Sequence, residues 1–435
     1  MSDNATMKNT TIHDMTTGSP ARLTVGNPVR LIVQFMIPMF LGNIFQQFYN
    51  IADSIIAGQF LGVRALAAIG STGSLMFFVT GWLNGLSSGF AILVSQWFGA
   101  KEYERMRHYV AMSIYLSAGW AVLMTIGLGI ANEPILRLMN YKDSIMPDVK
   151  AYMGIIYAGL IITGAYNALA AFLRALGDSK SPLYFLIISA VINVILDVVF
   201  IVVFGMGVEG CGYATVIAQG ISAVCCLIYI VKRFPILHLE RKDFEICWDS
   251  FGRLLKLGIP MGLQYSITAI GTLVIQAAVN GFGATVMAGV TAAGRLGNFL
   301  SCPIEALGQT MAPYVGQNVG AGKLDRVGKG LKAASLMGFC VSAVLLAIVV
   351  LFGRRMSVLF LDANEVEAMG YAYQYMTVTA AGYCLLTLVN TVRFTIQGMG
   401  FSGIAILAGV FEMAARTLAG TLLVAVSGYF GICMA

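Results

Sequence analysis

The sequence predicts an all-α polytopic membrane protein of two six-helix lobes, arranged as a parallel pseudo-two-fold repeat. Three observations predict it. Of 435 residues only 11% are charged and 58% are hydrophobic, with a mean hydropathy of +0.80, whereas a soluble surface needs roughly 25% charged residues. Eleven stretches are apolar enough, at about 20 residues or more, to cross a bilayer as helices. Two motifs recur at nearly the same interval. This composition excludes a disordered chain, a collagen and a soluble enzyme.

Residues 1–28 are polar and read as a cytoplasmic leader, because a signal peptide would carry its apolar core nearer the start. The predicted spans of the first lobe, 29–231, are 30–58, 64–97, 104–130, 147–173, 181–204 and 211–231. A charged linker, 232–250, follows. The second lobe, 251–435, supplies 251–280, 285–317, 324–352, 366–397 and 402–426. Several spans exceed the minimum length, so tilt or extension beyond the bilayer is expected.

Basic residues orient the chain. With the N-terminus placed in the cytoplasm, nineteen Lys and Arg fall on the inner side, Arg393 among them, against six on the outer side.

The repeat is visible in the motifs. Gln96, Gly99, Ala100 and Arg105 match Gln317, Gly320, Ala321 and Arg326 at an offset of 221 residues, and Ile37-Pro38-Met39 matches Ile259-Pro260-Met261 at 222. Repeats that begin on one side of a membrane hold an even number of helices, here six, about an axis along the membrane normal. The same offset sets Ala435 opposite Ala214, so a twelfth helix is due where the sequence stops, and the second lobe is expected to be truncated before it.

Partners can be narrowed. The formal charge of +6 is dispersed and no basic run is interleaved with aromatics, which excludes nucleic acid. Eight cysteines form no CxxC pair and three histidines lie far apart, so neither disulfides nor a metal cluster is expected. From Gly316 to Lys323 the glycine spacing is one residue too long for a P-loop, and Leu324 stands where Ser or Thr would hold magnesium. With no nucleophile elbow or HExxH either, the chain reads as a secondary transporter or a channel rather than an enzyme.

Ionisable residues within spans are costly and functional by default. They are Asp53, Asp197, Arg295, Glu305, Glu412 and Arg416. Glu412 and Arg416, four apart on one helix, can pair locally. Arg295, Asn298 and Glu305 lie on roughly one face, which could line a cavity or lock the helix. Asp53 and Asp197 have no basic neighbour in sequence. Asn43, Gln46, Asn50 and Asp53 form one stripe on the first span, Ser189, Asn193 and Asp197 another on the fifth, and Thr215, Gln219 and Ser222 a third on the sixth. Lipid satisfies none of them, so the stripes must face one another or water. Two acids so placed should titrate as a coupled pair and take up a proton or a sodium ion. Pro38 and Pro260 predict kinks in the first and seventh spans. The seventh-span stripe of Gln264, Thr268, Thr272, Gln276 and Asn280 carries no acid.

Specific motifs then point to a family. Gln46, Tyr49-Asn50, Asp53, Gly58, Gly62 and Leu66-Ala67-Ala68 resemble the opening helix and loop of the multidrug and toxic compound extrusion transporters. Ser95-Gln96, Phe98-Gly99-Ala100, Phe172 to Asp178, Gly316-Gln317-Asn318 and Gly320-Ala321 extend the resemblance over essentially the whole chain. It implies two lobes around a central cleft that exchange protons or sodium for organic cations, without a cofactor. The chain looks more like the DinF branch, and that likeness implies a cation site at Asp53, Asn193, Asp197 and Thr215. The only metal implied is a sodium ion there. The seventh span has Thr268, and the tenth no acid between Tyr371 and Gln397, where the NorM branch carries acids. Gln46, Asn50, Asn167, Gln264, Gln276, Arg295 and Glu305 are the expected cleft residues.

The reading is therefore a monomeric exporter of amphipathic organic cations in the bacterial plasma membrane, touching membrane lipid and drug-like substrate. A flippase for lipid-linked precursors of the same superfamily is the alternative, but it would want several arginines in its cavity, and the first lobe has none mid-membrane. A channel would need a ring built by repeated subunits, which unequal lobes do not supply.

Overall fold

The computed structural model describes residues 23–139, 141, 143–362 and 364–434, and only the backbone of Val63, Ala269, Ile270, Thr272, Leu273, Val274 and Ala277. The first 22 residues of the expected leader, Lys142 and the Thr272 side chain lie outside the described residues. All eleven expected segments are helical, and no strand occurs among the described residues.

The first lobe contains α1 (Pro28–Leu61), α2 (Val63–Ser71), α3 (Gly73–Ala100), α4 (Tyr103–Leu138), α5 (Met146–Ala158), α6 (Leu160–Ala175), α7 (Lys180–Val198) and α8 (Val208–Arg233). The second contains α9 (Trp248–Asn280), α10 (Ala284–Gly320), α11 (Leu324–Ser357), α12 (Val366–Gly398), α13 (Ser402–Leu418), α14 (Val424–Ser427) and α15 (Tyr429–Met434). Asn27 caps α1 by accepting from the Val29 N–H at 2.9 Å, with Pro28 at the first helical position. By length and composition, eight helical spans among the described residues can cross a membrane, and nine if α5 and α6, bent by 49° at Gly159, count as one. Both α1 and α9 continue through their internal prolines.

Backbone geometry carries the repeat more faithfully than residue identity does. Positive φ falls at Gly62, Lys101, Gly177 and Gly205 in the first lobe and at Gly283, Gly322, Gly400 and Gly428 in the second. Lys101 adopts φ 63° where its counterpart is a glycine, a conformation that L side chains seldom take.

Glycines also let the lobes meet. A Cβ on Gly85 of α3 would stand 2.6 Å from the Met261 carbonyl of α9, and one on Gly89 would stand 2.6 Å from the Gly258 Cα. At the far end of α3, Gly99 packs on the Gln317 backbone of α10, and Gly320 packs on that of Gln96. Small residues permit this approach, which dispersion then stabilises in lipid.

Residues 23–26 form a strap over the same end. The Leu23 N–H donates to Gln317 Oε1 at 2.8 Å, and Gln317 Nε2 donates to the Ala175 carbonyl at 2.8 Å. Lys323 Nζ donates to the Thr24 carbonyl at 3.0 Å and Arg326 Nη1 to that of Gly26 at 2.9 Å. Leu23 is buried in a cluster with Met311, Tyr314 and Val327.

Candidate cation site and second-lobe cavity

Three helices of the first lobe converge on one buried polar point. Helix α1 brings Tyr49 and Asp53, α7 brings Asn193 and Asp197, and α8 brings Cys211 and Thr215. Each pair is spaced by about one turn, so both members face the same way. Asp53 is 7% exposed and Asp197 is 0% exposed. One ligand atom each from Asp53, Asp197 and Cys211 lie within 4.8 Å of one another. Oδ1 of Asp53 and Oδ1 of Asp197 are both buried without a hydrogen-bond partner.

Neutral groups complete the shell. Tyr49 Oη donates to Thr215 Oγ1 at 3.2 Å. Turned so that both ends are satisfied, the Asn193 amide donates to Asp197 Oδ2 at 3.2 Å and accepts from the Thr215 N–H at 3.3 Å. The four expected residues thus come together, and two that were not expected join them. Nothing in the sequence singles out Cys211 among the eight cysteines, yet it stands one turn before Thr215. Tyr49 sits in the family-like Tyr49-Asn50 pair, but its hydroxyl role depends on the placement of α8.

Chemically, two carboxylates this close call for a cation. At 4.8 Å or less and an effective dielectric of 20, two negative charges repel by at least about 3 kcal/mol. A proton shared between them, or a metal cation between them, removes that cost.

The expected cleft residues do not converge in this way. Gln264 and Glu305 line a second-lobe cavity of about 380 Å³ with Asn298, Arg393, Glu412 and Arg416. Gln46 and Asn50 are exposed on α1 and hydrogen-bond each other at 3.4 Å. Asn167 is half-buried on α6, and Gln276 donates to Asn280 on its own helix at 3.0 Å. Arg295 is exposed and rests over the Phe360 ring at 5.9 Å, away from the face that Asn298 and Glu305 turn to the cavity.

Glu412 pairs with Arg416 at 2.6 Å, as the spacing predicts. Arg393, which the sequence counts with the inner-side basic residues, is turned into the protein. Its side chain is 13% exposed, and its Nη1 lies 3.9 Å from Glu412.

Comparison with known proteins settles the family. Residues 38–199 and 260–426 each match the family described as MatE, and the two matches begin at the equivalent prolines Pro38 and Pro260. The chain belongs to the MatE family. It is similar to the probable multidrug resistance protein YpnP of Bacillus subtilis, 31% identical over 384 residues, which covers 86% of this chain and 83% of the relative. It is also similar to the multidrug export protein MepA of Staphylococcus saprophyticus, 23% identical, with 87% and 84% covered. Among solved structures, an outward-facing multidrug resistance MATE family transporter matches with a TM-score of 0.88 at 22% identity, over 96% of this chain and 94% of that one. The two-lobed, all-helical MatE fold expected from the sequence is therefore the fold of this chain. As a MatE protein it is an integral membrane transporter and not an enzyme.

Proposed function

We propose that this MatE protein exports amphipathic organic cations by proton antiport across the bacterial plasma membrane, as a monomer with its N-terminus in the cytoplasm. The facing carboxylates of Asp53 and Asp197, each with a buried Oδ1 that no donor meets, carry the reading. Export of drug-like compounds is supported by the multidrug names of relatives such as YpnP and MepA. Cys211 supports the proton over sodium, because sodium is a hard cation that wants oxygen and a thiol is a poor substitute.

Loading the pair with a proton removes the repulsion between two helices, α1 and α7. Losing it restores that repulsion and favours their separation. The exchange of protonated and ionised pairs therefore biases the packing of α1. Phe48 of α1 meets Phe299 of α10 with ring centroids 5.4 Å apart, so motion of α1 reaches the second lobe. One charge moving down the membrane potential contributes about 2.3 kcal/mol per 100 mV.

The test is export of a fluorescent organic cation from proteoliposomes under separately imposed proton and sodium gradients. A proton gradient alone should drive it, and Asp53→Asn and Asp197→Asn should each abolish the drive. Normal rates in both variants under either gradient would sink the coupling.

A further inference from the structure

We infer that the second-lobe cavity holds an oxyanion subsite, in which Arg393 and Arg416 receive the carboxylate or phosphate of an aromatic ligand. This goes beyond the cation site and deepens the transporter reading by naming an acid group on some of its ligands.

The inference starts from how the charges are shared. Arg393 on α12 and Arg416 on α13 both approach one carboxylate, that of Glu412, at 3.9 and 2.6 Å. Every other partner of Arg393 is neutral. Nη2 donates to Asn390 Oδ1 at 2.6 Å. With the Gln264 amide turned to face the guanidinium, its oxygen accepts from Nε and Nη1, both at 3.2 Å. One carboxylate therefore serves two guanidiniums, and the triad carries a net positive charge within a span.

Such a charge is costly unless something answers it. Glu305 lines the same cavity, but it accepts from Ser301 Oγ at 3.1 Å and forms no ion pair among the described residues. It acts on Arg393 only through the field across the cavity, without an ion pair, and repels an acid group from its own part of the wall. An oxyanion at Arg393 and Arg416 supplies the second acid that the triad lacks, and guanidinium forks match carboxylate and phosphate oxygens in a plane. Tyr265, Tyr375, Tyr383 and Phe394 supply aromatic wall for the rest of the ligand. Glu412 then acts as an internal stand-in, holding Arg416 until a ligand displaces it.

Equilibrium dialysis of the purified full chain in detergent tests this with three labelled probes: naphthoate, naphthyl phosphate and the uncharged methyl ester of naphthoate. No gradient is involved, so failure here and failure of proton coupling are separate results. At least one acid should bind about tenfold more tightly than the ester, as a charge-assisted contact implies, and which acid wins identifies the oxyanion. Arg393→Gln and Arg416→Gln should each cost about tenfold in acid affinity and leave the ester unchanged. Glu412→Gln should instead tighten acid binding by a similar factor, because the internal competitor is gone, a gain that a purely structural triad does not produce. Gel-filtration elution and circular dichroism identify the variants that fold, and Glu412→Gln decides if an arginine variant does not. Equal affinity for acids and ester, or no gain in folded Glu412→Gln, would overturn the subsite.

Discussion

Gly99 and Gly320 make the same contact from opposite lobes. Each sits at the end of a long helix, α3 or α10, and each lies against the backbone of the other helix's glutamine, Gln317 or Gln96. The pair is the pseudo-two-fold axis expressed as packing, and a methyl group at either position overlaps backbone that cannot rotate away. Gly99→Ala and Gly320→Ala should each destabilise this closed arrangement by about 1–3 kcal/mol. A cysteine placed at Ser95, 1% exposed against Gly316 in the same crossing, should then be alkylated about fivefold or more faster, since 1.4 kcal/mol is a factor of ten in an equilibrium. Unchanged alkylation in both variants would mean that this crossing does not hold the end shut.

Cys211 offers a test of ion choice that leaves both acids in place. A hydroxyl is a hard oxygen ligand where the thiol is soft, so Cys211→Ser converts the shell around Asp53 and Asp197 into one that oxygen alone provides. Proton-driven export should persist in the variant, and a sodium gradient, without effect on the native chain, should begin to drive it. Sodium-driven export by the native chain would refute the proton reading directly.

Much of this was legible because it depends on spacing within one element. The steps of four that join Ser189, Asn193 and Asp197, or Glu412 and Arg416, place side chains on a face whatever the tertiary fold. The repeat was legible because glycine and proline mark backbone geometry. Arg393 was not: by position it resembles any basic residue near the end of a span, and only the docking of α13, with Glu412, draws it inward. Cys211 was missed for the reverse reason, since a buried thiol on its own is a hydrophobe and gains meaning from helices distant in sequence. Gln276 and Arg295 are cleft candidates on polarity alone, and the contacts that they make, with Asn280 and with the Phe360 ring, are not legible from it.

The strap at residues 23–26 is tied by side chains to backbone, which makes it separable from the helices beneath it. Gln317 is the keystone, bridging the Leu23 N–H and the Ala175 carbonyl. Gln317→Ala leaves both groups without that partner in a buried setting, at about 1–3 kcal/mol each. Amide hydrogen exchange at Leu23 should accelerate while exchange in the middle of α10 stays slow. Equal acceleration along α10 would show that the glutamine supports the helix and not the strap.

The linker between the lobes is held by one buried acid. Asp243 is 3% exposed, and its Oδ2 accepts from Arg107 Nε at 3.1 Å and from the Glu240 N–H at 2.8 Å. Its carbonyl meets His108 Nδ1 at 3.2 Å, while His108 Nε2 meets Ser250 Oγ at 3.1 Å, so α4 grips the linker and the start of α9 together. Arg107 is itself only 14% exposed on its side chain, and removing the charge opposite it leaves a buried cation with Glu240 at 3.7 Å as its remaining partner. Asp243→Asn should therefore cost about 3–5 kcal/mol, the usual penalty for halving a buried pair. Lys242 forms a second contact with α4 through Glu104 at 2.9 Å, but in the open, where water and salt screen it. Limited proteolysis should cut the linker of Asp243→Asn far faster than that of the native chain, and the linker of Lys242→Ala hardly faster. Equal cleavage of the two variants would mean that the linker is held by its surface charges.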